Sequence, residues 1–303
     1  MPCSSGPPIW KAVVTSRIDL LVVFYNSKPM LPAFFTGLRK ISLPITAYFL
    51  DNHSSDGTAE AVVRAIGDLP FPAYLTRSLR NNGFARGMNL LARMGSGDFL
   101  FILNPDAEVQ PECLESLVRR AQGDSRIGVC EARQSPREHP KVNDPDSGET
   151  TWCSGAAALI RRCAFEEVGG FDERLFFMYC EDVDLSWKFW LKGWKCVYVR
   201  DSVVRHVTQD LRRGKRRTLE NYFSFRNSLF LFYRFGSKKQ WRVVRNFLAK
   251  RFFTTSYSFK SKCLFIIALL EHIRYIPYLL QTRDIWSGET HHWIRFEETS
   301  LSR

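Results

Sequence analysis

Three acidic residues, Glu181, Asp182 and Asp184, stand in front of a strongly aromatic run in FMYCEDVDLSWKFWLKGW, residues 177–194. From Leu185 onward, Leu185, Trp187, Phe189, Trp190, Leu191 and Trp194 leave Lys188 and Lys192 four apart on one exposed face, which predicts a helix. The carboxylates then occupy its first turn, where a helix N-terminus stabilises negative charge. A carboxylate held there at a cleft edge can take a proton from a hydroxyl; plain acidic capping would leave the same pattern. In GDFLFILNPDAEV, residues 97–109, an apolar strand runs straight into Asn104-Pro105-Asp106. That puts a carboxylate at a sheet edge, and oxygen ligands of this kind suit magnesium or manganese, which also bind phosphates. The competing reading is an Asn-Pro-Asp turn. Asp51 ends another apolar strand in LDNHSSDGT, residues 50–58, where it could accept a nucleobase N–H, while Asp56-Gly57-Thr58 carries turn and cap chemistry. RNNGFARGMN, residues 80–89, offers close backbone approach at Gly83 and Gly87 and amides at Asn81, Asn82 and Asn89.

Positioning these groups requires a sheet. Ile18–Tyr25, Ile45–Leu50, Ala73–Thr76, Phe99–Leu103 and Ile127–Glu131 read as strands, with helices over Leu31–Ile41, Thr58–Ile66, Ala85–Met94 and Pro111–Ala121 between them. Continuous apolar strands alternating with helices predict an α/β fold with a mainly parallel sheet flanked by helices. Ligands of such sheets bind beyond the carboxyl ends of the strands, where the polar motifs fall. Residues 132–150 are polar and Pro-rich and read as a long functional or mobile loop. Trp152–Arg161 and Trp194–Val199 read as further strands.

The 303 residues are 45% hydrophobic and 24% charged, enough to bury a large core, which excludes a disordered chain. Residues 201–303 hold 20 Lys+Arg against 8 Asp+Glu and so carry the whole net charge of +12. The eight cysteines form no C-x-x-C pair and no zinc spacing, which fits a reducing cytoplasm. MPCSSGPPIWK lacks the basic and apolar regions of a signal peptide. The apolar run Cys263–Leu270 is cut off by Glu271, His272 and Arg274, and reads as too short for a membrane span of about 20 residues.

Taken in order, VVFYNS, LDNHSSDGT, NNGFARGMN, LNPDAEV and WCSGAAALIRR leading into GGFDERLFFMYCEDVDL resemble family 2 of the glycosyltransferases. The similarity is to its rhamnosyltransferase and galactofuranosyltransferase branch. The resemblance implies a GT-A (nucleotide-diphospho-sugar transferase) domain over 17–235, after a tail at 1–16 and before a basic, aromatic helical region at 236–303. It implies donor binding by Tyr25, Asp51, Asn82, Asn104, Asp106 and Arg226, and acceptor binding near Trp152 and Gly155. Asp106 and His206 would hold a divalent cation, Mg2+ or Mn2+; Asn104 stands where the family's D-x-D signature has its first Asp. Asp182 would be the catalytic base, with Glu181 and Asp184 in support.

One base opposite a cation that stabilises a departing nucleoside diphosphate is the logic of inverting glycosyl transfer. The resemblance points to rhamnose from a dTDP donor, passed to a glycan or lipid-linked acceptor in cell-surface polysaccharide synthesis. Galactofuranose or a hexose from UDP is the alternative, and the Asn104 departure leaves open an inactive scaffold. The run Arg212, Arg213, Lys215, Arg216 and Arg217, followed by aromatic-basic helical patterns, suits an anionic membrane surface. No nucleic-acid recognition motif accompanies the charge. The expected location is the cytoplasm, peripherally on the inner face of the cell membrane.

Overall fold

The computed structural model describes residues 16–206, 215–236, 259–286 and 291–296. Its centre is one eight-stranded sheet in the order β3-β2-β1-β4-β7-β6-β8-β5. The first half comprises β1 (Ile18–Phe24), β2 (Ile45–Asp51), β3 (Ala73–Arg77) and β4 (Phe99–Leu103), all paired in parallel. Every residue of β1 and β4 is buried, as expected for strands covered on both faces. Beyond β4 the sheet is mixed. β7 (Ala157–Arg161) runs antiparallel to both β4 and β6 (Ile127–Ser135), β8 (Lys195–His206) is parallel to β6, and the short β5 (Ala107–Val109) pairs antiparallel with the end of β8.

The helices sort onto two faces. α1 (Leu31–Leu38), α2 (Thr58–Ile66) and α4 (Cys113–Gly123) bury Phe34, Phe35, Leu38, Val62, Leu114 and Leu117 against one side. α3 (Gly83–Ala92), α5 (Arg162–Glu167), α6 (Glu181–Leu191) and α7 (Lys215–Phe235) bury Met88, Leu91, Phe165, Trp187, Phe189 and Phe230 against the other. α8 (Phe259–Trp286) packs along α7, with the Phe225 and Phe265 rings 4.7 Å apart. Leu279 of α8 and Trp293 join the cluster that holds Leu21 and Trp187, so the C-terminal helices share the core of the sheet.

The structure departs from several expectations. Residues 152–156 are loop, and only Ala157–Arg161 is strand. β8 runs to His206, seven residues beyond its expected end. Lys188 is buried, because α6 is covered on nearly all sides; its ammonium donates to Gly170 O at 2.6 Å and faces Asp184 Oδ2 at 3.4 Å. The 132–150 segment is tied down. Asp144 Oδ1 accepts the Ser147 N–H at 2.7 Å, and bridges join Asn143 to Thr150 and Glu149 to Val197. α8 is continuous, and Lys262–Arg283 is long and apolar enough to cross a membrane, contrary to the expectation of too short a run. A few charged residues do not end an apolar helix; the average over its length decides. The basic run at 212–213 lies outside the described residues, as do the side chains of Lys215, Arg216 and Arg217.

Candidate active site

Asp51 ends β2 in register with Phe24 at the end of β1. Its Oδ2 accepts the Ser54 N–H at 3.2 Å, whereas Oδ1 is buried without a partner. Leaving a buried carboxylate oxygen unmatched is costly, and such an atom is poised for an external donor. Tyr25, one residue past β1, is 47% exposed beside this carboxylate's strand end. Asn52 organises the neighbouring loop. It accepts the Asn82 N–H at 2.9 Å and donates to Asn81 Oδ1 at 2.9 Å and to Gly83 O at 3.1 Å. The Asn82 amide is turned into the same loop, donating to Ser78 Oγ at 2.6 Å.

β4 delivers the second group. Past Leu103, the Asn104 N–H donates to Ala156 O at 2.8 Å, fastening the Asn-Pro-Asp turn to the loop before β7. Asp106 follows, and Ala107 pairs with His206 across β5 and β8. Asp106 Oδ1 lies 2.9 Å from His206 Nε2, with both side chains buried. One carboxylate and one imidazole suit a borderline divalent cation such as manganese. Two ligands at about 2.1 Å on adjacent vertices of an octahedron stand roughly 3 Å apart, so the separation fits. Among the described residues no group of three His, Cys, Asp or Glu could hold a metal. The remaining positions would fall to diphosphate oxygens and water, as is usual for such ions.

The same loop before β7 meets α6. Gly155 N–H donates to Asp182 Oδ2 at 3.2 Å, and Asp182 Oδ1 accepts the Val183 N–H at 2.9 Å. A side chain at Gly155 would press on the Phe84 ring at 3.3 Å and approach Asp182 Cβ at 3.8 Å. Asn104, bonded to Ala156, and Asp182, bonded to Gly155, therefore flank adjacent residues of one loop. Asp182 is partly exposed, whereas Glu181 is buried with Oε2 lacking a partner. Burial first, and the Asp182 carboxylate second, push the Glu181 carboxyl well above the usual range and favour its neutral form.

Asp184 faces the core and not the loop that Asp182 meets. It is fully buried and paired with Arg234 of α7, which also reaches Asp172 at 2.5 Å. Arg226 and Asn227, two turns earlier on α7, also point inward. Arg226 donates to Leu175 O at 3.1 Å and to Glu271 Oε2 at 3.1 Å, so its guanidinium is engaged by protein groups. Trp152 is partly buried, 5.5 Å from the His139 ring and 4.7 Å beneath the Lys141 ammonium. Lys141 forms a buried ion pair with Glu131 and donates to Trp152 O at 3.0 Å. Burial raises the Glu131 carboxyl, with the Lys141 charge opposing it.

Sequence reasoning missed Asn52, Lys141–Glu131 and the Arg234 network. Asn52 lay inside a motif already singled out. The partners of Lys141 and Arg234 are distant in sequence and carry no local signature.

A Rossmann-like first half, an acidic turn after β4 and a carboxylate-bearing α6 together define a nucleotide-sugar transferase of the GT-A type. Residues 19–184 match the family model described as glycosyl transferase family 2, and residues 145–287 match glycosyl transferase family group 2. The chain belongs to glycosyltransferase family 2 and is a glycosyltransferase. It is 28% identical over 240 residues to the N-acetylglucosaminyl-diphospho-decaprenol L-rhamnosyltransferase of Mycobacterium tuberculosis, covering 64% of this chain and 76% of that protein. It is 40% identical over 60 residues to rhamnosyltransferase WbbL of Escherichia coli, 20% of this chain and 22% of WbbL. Among solved structures, the mannosyltransferase PcManGT of Pyrobaculum calidifontis, in complex with GDP-Man and Mn2+, superposes with a TM-score of 0.56 at 17% identity. That match covers 89% of this chain and 73% of PcManGT. TarS of S. aureus superposes with a TM-score of 0.60 at 14% identity over 88% of this chain and 50% of TarS. Both share the fold.

Proposed function

We propose that this chain is an inverting, metal-assisted rhamnosyltransferase that moves rhamnose from dTDP-rhamnose to a lipid-linked glycan acceptor in cell-surface polysaccharide synthesis. The observation that carries the reading is the loop 154–156, which bonds Asn104 on one side and Asp182 on the other. Asp51 Oδ1 accepts the base, with Tyr25 against the ring. Asp106 and His206 would hold a divalent cation, which would supply Lewis-acid stabilisation of the leaving diphosphate. Asp182, oriented by the Gly155 N–H, takes the acceptor hydroxyl proton, and Trp152 offers an apolar face to the acceptor sugar. The relatives' names supply the sugar and the lipid-linked acceptor class. The test is a thermal-shift screen of dTDP-, UDP- and GDP-sugars with manganese. A manganese-dependent shift with dTDP-rhamnose supports the reading; a shift with UDP-sugars alone replaces rhamnose by galactofuranose or a hexose.

A lipid-linked acceptor calls for a membrane surface, and α8 carries a fitting face. Ile266, Leu270, Ile273 and Leu280 are exposed at helical spacing, and residues 201–303 hold all the net positive charge. The other side of α8 is engaged: Phe265, Ala268, His272 and Leu279 are buried, which favours a helix lying on the bilayer over one spanning it. Flotation with phosphatidylglycerol vesicles should fall at high salt and in Leu270→Glu/Ile273→Glu. No binding at low salt would remove the membrane from the proposal.

A further inference from the structure

Two consecutive residues that carry side chains, Tyr179 (φ +68°) and Cys180 (φ +66°), hold left-handed backbone conformations immediately before α6. That region costs free energy for any residue with a Cβ, so one such residue is uncommon and two in succession need an external constraint. The turn sets where α6 begins. Cys180 O accepts the Asp184 N–H at 3.0 Å, the hydrogen bond that opens the helix, and Asp182 stands inside that first turn.

The constraint comes from α7. Asn227 is fully buried, and its Nδ2 donates to Met178 O at 2.8 Å and to Tyr179 O at 2.6 Å. Its Oδ1 accepts Arg226 Nε at 3.0 Å, which fixes the amide's orientation. Arg226 in turn holds Leu175 O, and Glu271 of α8 anchors Arg226. Phe223, one turn earlier, stacks on Phe177 at 5.6 Å and 21°. The opposite side of the segment is held by α3, where the Phe84 N–H donates to Phe177 O at 2.7 Å. Residues 175–180 are thus clamped between α3 and α7, and the carbonyls before and within the strained turn, those of Met178 and Tyr179, converge on a single amide.

We infer that Asn227, oriented by Arg226, is a positioning residue that holds the left-handed Tyr179–Cys180 turn and thereby sets the Asp182 carboxylate against Gly155 and the crevice. The inference rests on the proposed role of Asp182, but its test separates the two. Asn227→Asp keeps size and the acceptor for Arg226 while removing both donors. It should lower kcat about 100-fold, the scale of an ångström-sized misplacement of a reacting group, with donor KM changed less than threefold. Hydrogen exchange of the 178–185 amides should accelerate. Glycine adopts φ > 0 without a steric penalty, so adding Cys180→Gly or Tyr179→Gly to Asn227→Asp should recover at least tenfold in kcat and restore protection. Should Asn227→Asp fold poorly, Asn227→Ser with the same glycine partners reads the same rescue. Unchanged kcat and exchange in the single variant, or no rescue by either glycine, overturns the inference. If Asp182→Asn keeps full turnover while the Asn227 effect and its rescue hold, the positioning stands and the base assignment fails.

Discussion

Asp51, Asn104 and Asp106 stand at the ends of strands whose places are set by backbone pairing, whereas Asp182 stands on a helix whose place is set by buried side chains. β1, β2 and β4 run in parallel register, so the places of these strand-end groups follow from the sheet. α6 is instead gripped by Arg234 on Asp184, Lys188 on Gly170 O, and Asn227 on the turn before it. The first kind of positioning is spread over many equivalent hydrogen bonds and tolerates loss of a side chain. The second concentrates it in a few charged or amide groups with buried partners.

The largest expected contrast in stability is between Arg234 and Asp51. Arg234→Met leaves the fully buried Asp184 facing only the Lys188 ammonium and takes from Asp172 its buried ion-pair partner, leaving it the Tyr278 hydroxyl and backbone N–H groups. Removing one partner of a buried pair typically costs about 3–5 kcal/mol, so Tm should fall by about 10 °C. Asp51→Asn keeps the shape and leaves β2 pairing intact; Tm should stay within about 2 °C while nucleotide binding weakens. Equal Tm losses in the two variants would break the comparison.

Gly83→Ala probes the seam between the two regions. Gly83 has φ +78°, and an added Cβ would stand 2.3 Å from Phe177 O. Both terms act together, so a loss of about 1–3 kcal/mol is expected by chemical denaturation, with kcat falling through the displaced 175–180 segment. A wild-type kcat would show that this segment does not transmit to α6.

The smallest effect concerns Glu181, whose carboxyl is pushed well up by burial and by Asp182. A folded-state pKa above the unfolded value gives stability that is present below the unfolded value and lost as pH rises through the folded one. Glu181→Gln removes that loss. Its Tm should therefore exceed wild type by an amount that grows from pH 5 to pH 8. A constant difference would show that the folded-state carboxyl is not raised above its unfolded value.

Most of the parallel half of the sheet was legible in the sequence because its signals are local. FLFIL followed by Asn104-Pro105-Asp106 is a buried strand meeting a turn, and both the strand and the acidic position follow from eight adjacent residues. Asp182 was legible for the same reason, as an acidic first turn before an apolar helix. The orientation of that turn was not, since Arg226, Asn227 and Arg234 act across 48 to 51 residues. Their sequence context, aromatic and basic, reads as a charged surface, yet all three are buried. Lys188 misled in the same way, because a lysine four residues from another marks an exposed face only when no buried carboxylate awaits it.

The most direct measurement compares Asp182→Asn with wild type for sugar transfer and for manganese-dependent binding of the nucleoside diphosphate. Loss of a general base predicts a fall in kcat of about 10²–10⁴-fold, with nucleotide affinity within threefold of wild type. Turnover within threefold of wild type would contradict the placement of the base on α6.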